Sequence, residues 1–250
     1  MSQRPIELHY WPTPNGWKIS IALEEMGLPY EVRWVNIGKG EQFRAEFLAI
    51  SPNNRMPAIV DPDGPGGSPI SVFESGAILL YLGRKTGELY PSDERGRSAV
   101  EQWVIWQVAN LGPVMGQRNH FRNYAKRMVT DAAQLAYATT RFSNEANRLF
   151  GVIERQLQKH AFIAGEDYSI ADIATSSWLG AVYDAGELDE FPRAKAWFET
   201  IKARPAVQKG RALGAERRIQ LGDKEAAAQQ AILFGQTAQT VADAAAKAKP

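Results

Sequence analysis

Apolar positions along the chain follow two regimes. Up to about residue 88, short strand-like runs alternate with helical patterns; beyond it, only helical periods are found. Residues 6–11 (IELHYW) read as a strand. From Trp17, the residues Ile19, Ala22, Leu23 and Met26 fall at i, i+3, i+4 and i+7, one apolar face of a helix, and Gly27 predicts its C-terminal stop. Residues 30–36 alternate apolar and polar as a second strand. Phe43, Phe47 and Ile50 mark a short helix. Pro57 precedes a strand at Ala58–Val60, and the turn cluster DPDGPGGSP joins it to a strand at Ile70–Phe73, an expected antiparallel hairpin. ESGAILLYLGRKTG then predicts an apolar helix closed by Gly87. Strand, helix, strand, helix, strand, strand, helix calls for right-handed crossovers and a mixed sheet covered by helices.

The second half is expected to be an all-helical bundle. AVEQWVIWQVANLG is apolar on nearly every side and predicts a buried helix, whose Gln102, Gln107 and Asn110 would then need partners. Leu135, Phe142 and Leu149 recur every seven residues, followed by Ile153 and Leu157, as the core stripe of a long helix. Ser169 with Asp172 three positions on forms a capping box in which aspartate replaces the usual glutamate, and Tyr168 and Ile173 occupy the staple positions. A further helix follows, interrupted at Pro205. The expected division is residues 1–90, an α/β domain; 91–222, an all-α domain; and 223–250, an Ala/Gln-rich tail. The tail has high helix propensity without a sustained apolar face. Its expected state ranges from a frayed or disordered end to a partial helix laid over the protein.

Composition narrows the functional classes. The 250 residues carry a formal net charge of +1, with no lysine or arginine block, so nucleic-acid and anionic-membrane partners lack electrostatic support. No apolar window is long enough for a membrane span, and the first ten residues lack a signal-peptide core; both favour the cytoplasm. Cysteine is absent, which excludes a disulfide framework, a cysteine nucleophile and a CxxC redox motif. His9, His120 and His160 are isolated, and no metal site is expected.

Three stretches carry candidate chemistry. At YWPTPNGWKIS, the first strand meets the first helix through two prolines, with Thr13 and Asn15 beside them; capping of the helix start is the plain explanation. In RMPAIV, Pro57 opens a strand. If its bond is cis, the N–H and C=O of Met56 are left free to pair with a peptide-like ligand in strand fashion; an ordinary trans proline at a strand edge is the alternative. In FESGAILLYL, the helix-start N–H groups and the Ser75 hydroxyl suit a carboxylate, and Glu74 suits an ammonium. Together they describe a site for an amino-acid head, although simple helix capping explains the same residues.

PTPNGWKI, GKGEQFRAEFLAISPNNRMPAIVD, FESGAILLYL and SIADI together resemble the cytosolic glutathione transferases, most closely the bacterial Nu class with disulfide-reductase activity. The resemblance spans residues 5–215. It implies a thioredoxin-like N-terminal domain, a helical C-terminal domain, and a homodimer that binds glutathione, two per subunit in Nu members, at the domain interface. By motif, Met56 and Pro57 would hold the cysteinyl part of the tripeptide, and Glu74 and Ser75 the γ-glutamyl ammonium and carboxylate. Gln42, helped by Lys39 or Arg55, would face the glycyl carboxylate. Thr13 and Asn15 would meet the sulfur. Arg141 and Gln102 match ligand-contacting positions, Gln102 from across the dimer, and Tyr124 would form a wall.

The opening turn then has a chemical use. A thiol of pKa near 8.5 is only a few per cent thiolate at neutral pH, and lowering it by about two units takes only ~2.7 kcal/mol of preference for the anion. A hydroxyl, an amide and the positive end of a helix can supply that between them. The leading expectation is reduction of a small disulfide by two glutathiones. Thiolate attack on an aryl ether or haloarene, with Trp11, Trp17, Phe121 and Tyr124 stacking the ring, is the second. A non-catalytic ligand-binding or assembly module is the third.

Overall fold

Ile6, Leu8 and Tyr10 are fully buried and alternate with half-buried Glu7 and His9, which suits β1 (Ile6–Tyr10) to the middle of a sheet. In the computed structural model, which describes residues 4–218 and 223–247, that sheet has the order β2-β1-β3-β4. β1 runs parallel to β2 (Tyr30–Trp34) and antiparallel to β3 (Ala58–Asp61), and β3 pairs antiparallel with β4 (Ile70–Phe73). The expected hairpin is therefore present, with Ala58 opposite Phe73 and Asp61 opposite Ile70. The parallel pair is joined through α1 (Pro14–Glu25).

Gly27, at φ +62°, lies in the left-handed region just past the end of α1, and the Leu28 N–H returns to the Leu23 carbonyl at 3.0 Å, the pattern that closes helix ends. The expected short helix after β2 is broken up: tight turns at Ile37–Lys39 and Glu41–Phe43 precede α2 (Ala45–Leu48). Gly40, at φ +79°, separates the two turns and prevents one continuous helix. Phe47 still does what its spacing predicts, packing with Val35, Met56 and Ala58 in a buried cluster flanked by Trp11, Ile37 and Ile50. After β4 comes α3 (Ser75–Thr86).

The described residues form two compact units, one from Met1–Ile78 with Lys209–Pro250 and one from Leu79–Gln208. The second is helical: α4 (Glu94–Trp106), α5 (Gly112–Asn119), α6 (Ala132–Leu157), α7 (Ile170–Ser176), α8 (Gly180–Asp184), α9 (Pro192–Lys202) and α10 (Pro205–Ala212), the last running on past the unit's end. Its hub is Asp172. The carboxylate, fully buried, accepts from the Ile163 N–H (2.9 Å), the Ser169 N–H (2.9 Å), the Ser169 hydroxyl (3.1 Å) and Trp197 Nε1 (2.9 Å). The capping box read from the sequence is thus complete. Of the heptad stripe on α6, Leu149, Ile153 and Leu157 are buried, while Leu135 and Phe142 are half-buried.

A further expectation, the helix buried on nearly every side, fails. α4 buries only Val100 and Val104 among its residues; Ile105 is 56% exposed, and Gln102 is exposed with its amide turned back to the Ser98 carbonyl at 2.9 Å. Its tryptophans pack edge-on against each other, Trp103 and Trp106 at 5.1 Å between centroids, rather than into a core on all sides. A wide turn at Gln107–Leu111 then links α4 to α5.

From Lys209 the chain belongs again to the first unit. Gly210 packs against α1 so closely that a Cβ there would lie 2.7 Å from the Ile21 backbone, and its carbonyl accepts from the Ser20 hydroxyl at 2.7 Å. The alanine-rich tail forms two helices, α11 (Asp223–Phe234) and α12 (Ala238–Lys247). α11 packs on the turn at Ile37–Lys39 and α12 on that at Glu41–Phe43, and Asn54 Nδ2 donates to Gln236 Oε1 at 3.0 Å. Residues 219–222 and 248–250 lie outside the described residues.

Candidate functional site

Thr13 is the N-cap of α1. Its extended backbone (φ −129°, ψ 164°) lets Oγ1 accept from the Gly16 N–H at 3.3 Å, and Pro14 fixes the first helical residue. With a lone pair used in capping, the hydroxyl proton is left to donate, and it faces a sulfur: Met56 Sδ lies 3.7 Å from Thr13 Oγ1 and 3.1 Å from the Trp11 N–H. The strand-to-helix junction therefore gathers two donors on the Met56 thioether at the positive end of a twelve-residue helix. Asn15 is half-buried in the first turn of the same helix.

The Met56–Pro57 peptide bond is cis, and both residues are buried. Met56 precedes the first ladder residue of β3 by two positions. Among the described residues its N–H and C=O take no hydrogen bond. The turn before it is tied internally by the Ser51 hydroxyl donating to the Arg55 carbonyl at 2.8 Å, and Arg55 itself is exposed.

At the other end of β4, Glu74 adopts φ +68°, unusual for a residue with a Cβ, and starts α3 by accepting the Ile78 N–H at 2.9 Å. Its exposed carboxylate accepts from Asn53 Nδ2 at 3.2 Å. Ser75 is buried, and its Oγ is 3.1 Å from the ammonium of Lys18, a lysine of α1 only 1% exposed. Burial pushes the Lys18 pKa down to about 7, with the Glu74 charge pulling the other way. Lys18, Asn53 and the Trp11 N–H are contributions that the sequence reading missed. Lys18 had a signal, since it follows Asn15 by three positions and so shares its helix face.

The remaining candidates are placed as follows. Gln42 is buried with Nε2 donating to the Ile37 carbonyl at 3.2 Å, its Oε1 without a partner, while Lys39 is exposed on the adjacent turn. Gln102, Tyr124 and Arg141 belong to the second unit. Gln102 is on α4, Tyr124 half-buried at the end of the wide turn His120–Tyr124, and Arg141 exposed on α6, 3.8 Å from Glu145. The structure thus joins Thr13 with Met56, and Ser75 with Lys18 beside Glu74; Gln102, Tyr124 and Arg141 stand on three separate elements.

The aromatic residues considered for stacking a substrate ring are largely engaged in packing. Trp17 is 7% exposed, with the guanidinium groups of Arg211 and Arg218 over its ring at 4.9 and 5.2 Å. Trp11 meets Trp34 edge-on, and Phe121 stacks on Phe142 at 5.5 Å. Among the described residues no three acidic or histidine side chains gather as metal ligands, and no helix is long and apolar enough to cross a membrane.

Comparison with known proteins matches residues 13–85 to the glutathione S-transferase N-terminal domain and residues 118–205 to the glutathione S-transferase C-terminal domain. The chain is 46% identical over 221 residues to the disulfide-bond oxidoreductase YfcG of Escherichia coli, covering 88% of this chain and 98% of that protein. A glutathione transferase from Burkholderia graminis, solved with two glutathione molecules per subunit, is 43% identical with a TM-score of 0.79 over 86% of this chain and 90% of that one. One from Pseudomonas putida, solved with one glutathione disulfide per subunit, is 39% identical with a TM-score of 0.77, covering 83% of this chain and 90% of that one.

Proposed function

Because the chain belongs to the glutathione S-transferase family, we propose that it binds two glutathiones and uses them to reduce small disulfides. The observation that carries this reading is the start of α1, where the Trp11 N–H and the Thr13 hydroxyl converge, here on the Met56 thioether beside the cis proline, in a chain without cysteine. The first glutathione, held as thiolate by Thr13, Asn15 and the helix end, attacks one sulfur of the substrate disulfide. A mixed disulfide forms and one substrate thiolate leaves. The second glutathione attacks the glutathione sulfur of that mixed disulfide, giving glutathione disulfide and releasing the second substrate thiolate. Two electrons pass from two glutathiones to the substrate, and the protons of the two glutathione thiols end on the two product thiols.

In this reading Met56 pairs its backbone with the cysteinyl unit, next to Pro57. Glu74 and Ser75 hold the γ-glutamyl head, and Gln42 with Lys39 or Arg55 faces the glycyl carboxylate. Tyr124, Arg141 and Gln102 serve the second tripeptide. Two crystal structures of relatives support the stoichiometry: one holds two glutathiones per subunit and the other the disulfide that they would form. A homodimer is proposed with the exposed face of α4, carrying Gln102, Ile105 and Trp106, as the partner surface. The reducing cytoplasm, which regenerates glutathione, is the fitting compartment.

The test is turnover of bis(2-hydroxyethyl) disulfide with glutathione, for wild type and Asn15→Ala. Slowed reduction in the variant is expected. Undiminished turnover overturns the role given to Asn15, and a wild type without reductase activity overturns the proposed function.

A further inference from the structure

Lysine is almost never fully buried without a reason, because moving an ammonium out of water is costly. Lys18 is nonetheless 1% exposed, on the first helix, with its ammonium 3.1 Å from Ser75 Oγ. An ammonium has donors and no acceptor, so Ser75 Oγ receives this hydrogen bond through a lone pair. That leaves the Ser75 O–H to donate elsewhere. Ser75 is the first residue of α3, where the backbone N–H groups of the first turn lack helical partners.

We propose that Lys18 is a positioning residue for the γ-glutamyl carboxylate: it fixes Ser75 as an outward donor and places a buried positive charge beside the subsite. The inference rests on the glutathione-binding reading above and names a residue that reading does not require. Among the described residues Glu74, on the adjoining end of β4 and α3, acts on Lys18 by its charge; its carboxylate is exposed and shared with Asn53. Burial outweighs that attraction and holds the Lys18 pKa near 7. A carboxylate arriving beside it adds negative charge and raises the pKa again. Binding of the γ-glutamyl head is therefore linked to proton uptake on the slightly alkaline side of neutrality, opposite in sign to the proton released when a thiol ionises.

The experiment separates these two protons by blocking the sulfur. S-methylglutathione is titrated calorimetrically into wild type and Lys18→Met at pH 8, in two buffers of different ionisation enthalpy. The titration is repeated with S-methylated 4-aminobutyryl-cysteinyl-glycine, which keeps the amine and lacks the γ-glutamyl carboxylate. Wild type is expected to take up protons with S-methylglutathione and to discriminate at least about tenfold against the decarboxylated analogue. Lys18→Met is expected to bind S-methylglutathione at least about tenfold more weakly, without proton uptake, and to lose most of that discrimination. Equal affinity, proton count and discrimination in the two proteins overturn the proposal while leaving glutathione binding intact. A wild type that binds neither tripeptide overturns the binding reading itself, and this inference with it. Should Lys18→Met fail to fold, Lys18→Arg serves instead. It keeps the charge but does not titrate near neutrality, so discrimination persists and proton uptake vanishes; undiminished uptake overturns the assignment.

Discussion

Thr13 caps α1 and, in the proposed function, donates to the glutathione sulfur, two roles that one substitution series can pull apart. Its Oγ1 caps α1 through the Gly16 N–H at 3.3 Å, and its hydroxyl lies 3.7 Å from the Met56 thioether, where the glutathione sulfur is proposed to arrive. Thr13→Val removes both. Loss of the cap costs about 1 kcal/mol, a fall of roughly 2–4 °C in melting temperature for a chain of this size. Loss of a donor to a charged sulfur costs about 1.5–3 kcal/mol, or about 1–2 units in the ionisation of bound glutathione at 1.36 kcal/mol per unit. Thr13→Asp keeps a good cap and adds charge favourable to the helix end, yet sets an anion beside the thiolate. Thr13→Ser keeps both functions. The assay is the ultraviolet thiolate absorbance of bound glutathione across pH, read beside the melting temperature. Thr13→Val is expected to lower both stability and sulfur acidity, Thr13→Asp to spare stability while losing acidity, and Thr13→Ser to stay near wild type. A Thr13→Asp protein that ionises bound glutathione as wild type does would refute the donor role and leave Thr13 as a cap alone.

Two other expectations concern buried charges. Asp172→Ala leaves the Ile163 N–H, the Ser169 N–H and Trp197 Nε1 without their acceptor in the core and should cost about 3–5 kcal/mol, measurable by urea denaturation. For Lys18 the sign follows from its lowered pKa. Below about pH 7 both folded and unfolded chains hold the proton; above it the folded chain releases the proton while the unfolded chain keeps it until near 10.5. The unfolded state then binds more protons, so ligand-free wild type should gain stability relative to Lys18→Met as pH rises from 7 towards 10. Parallel stability curves for the two proteins would show that burial does not lower the Lys18 pKa in the folded chain.

Local rules made much of the fold legible. β4 spans Ile70–Phe73 as read, Gly27 ends α1, and the Ser169–Asp172 box closes with both of its hydrogen bonds, because strand alternation, left-handed caps and capping boxes are decided within a few residues. The helix starts proposed to hold glutathione were visible for the same reason. What stayed hidden depends on distant chain. Nothing around Lys18 in sequence says that the residue beside an apolar stripe is itself enclosed; that takes Ser75, 57 positions on. Trp17 reads as a candidate for stacking a substrate ring until Arg211 and Arg218 return over it. The expectation for α4 failed because a count of apolar residues does not say which of them meet a core; Val100 and Val104 do, and Ile105 does not.

The absence of cysteine constrains the chemistry further than the fold does. A four-stranded sheet with a cis-proline before its third strand and a helix starting after its first is an arrangement that could serve a chain-borne dithiol, but here the helix start carries Thr13 and Asn15. A protein without a thiol has no redox couple of its own and stores no electrons between half-reactions. In the mechanism proposed here, the end point is therefore set by glutathione and the substrate disulfide alone. Substitutions at Thr13, Asn15 or Lys18 can change how fast that end point is reached and how tightly glutathione is held on the way. They cannot move it, so any variant that altered the final ratio of disulfide to thiol, at fixed glutathione and with catalytic amounts of protein, would require a redox group that this sequence does not contain.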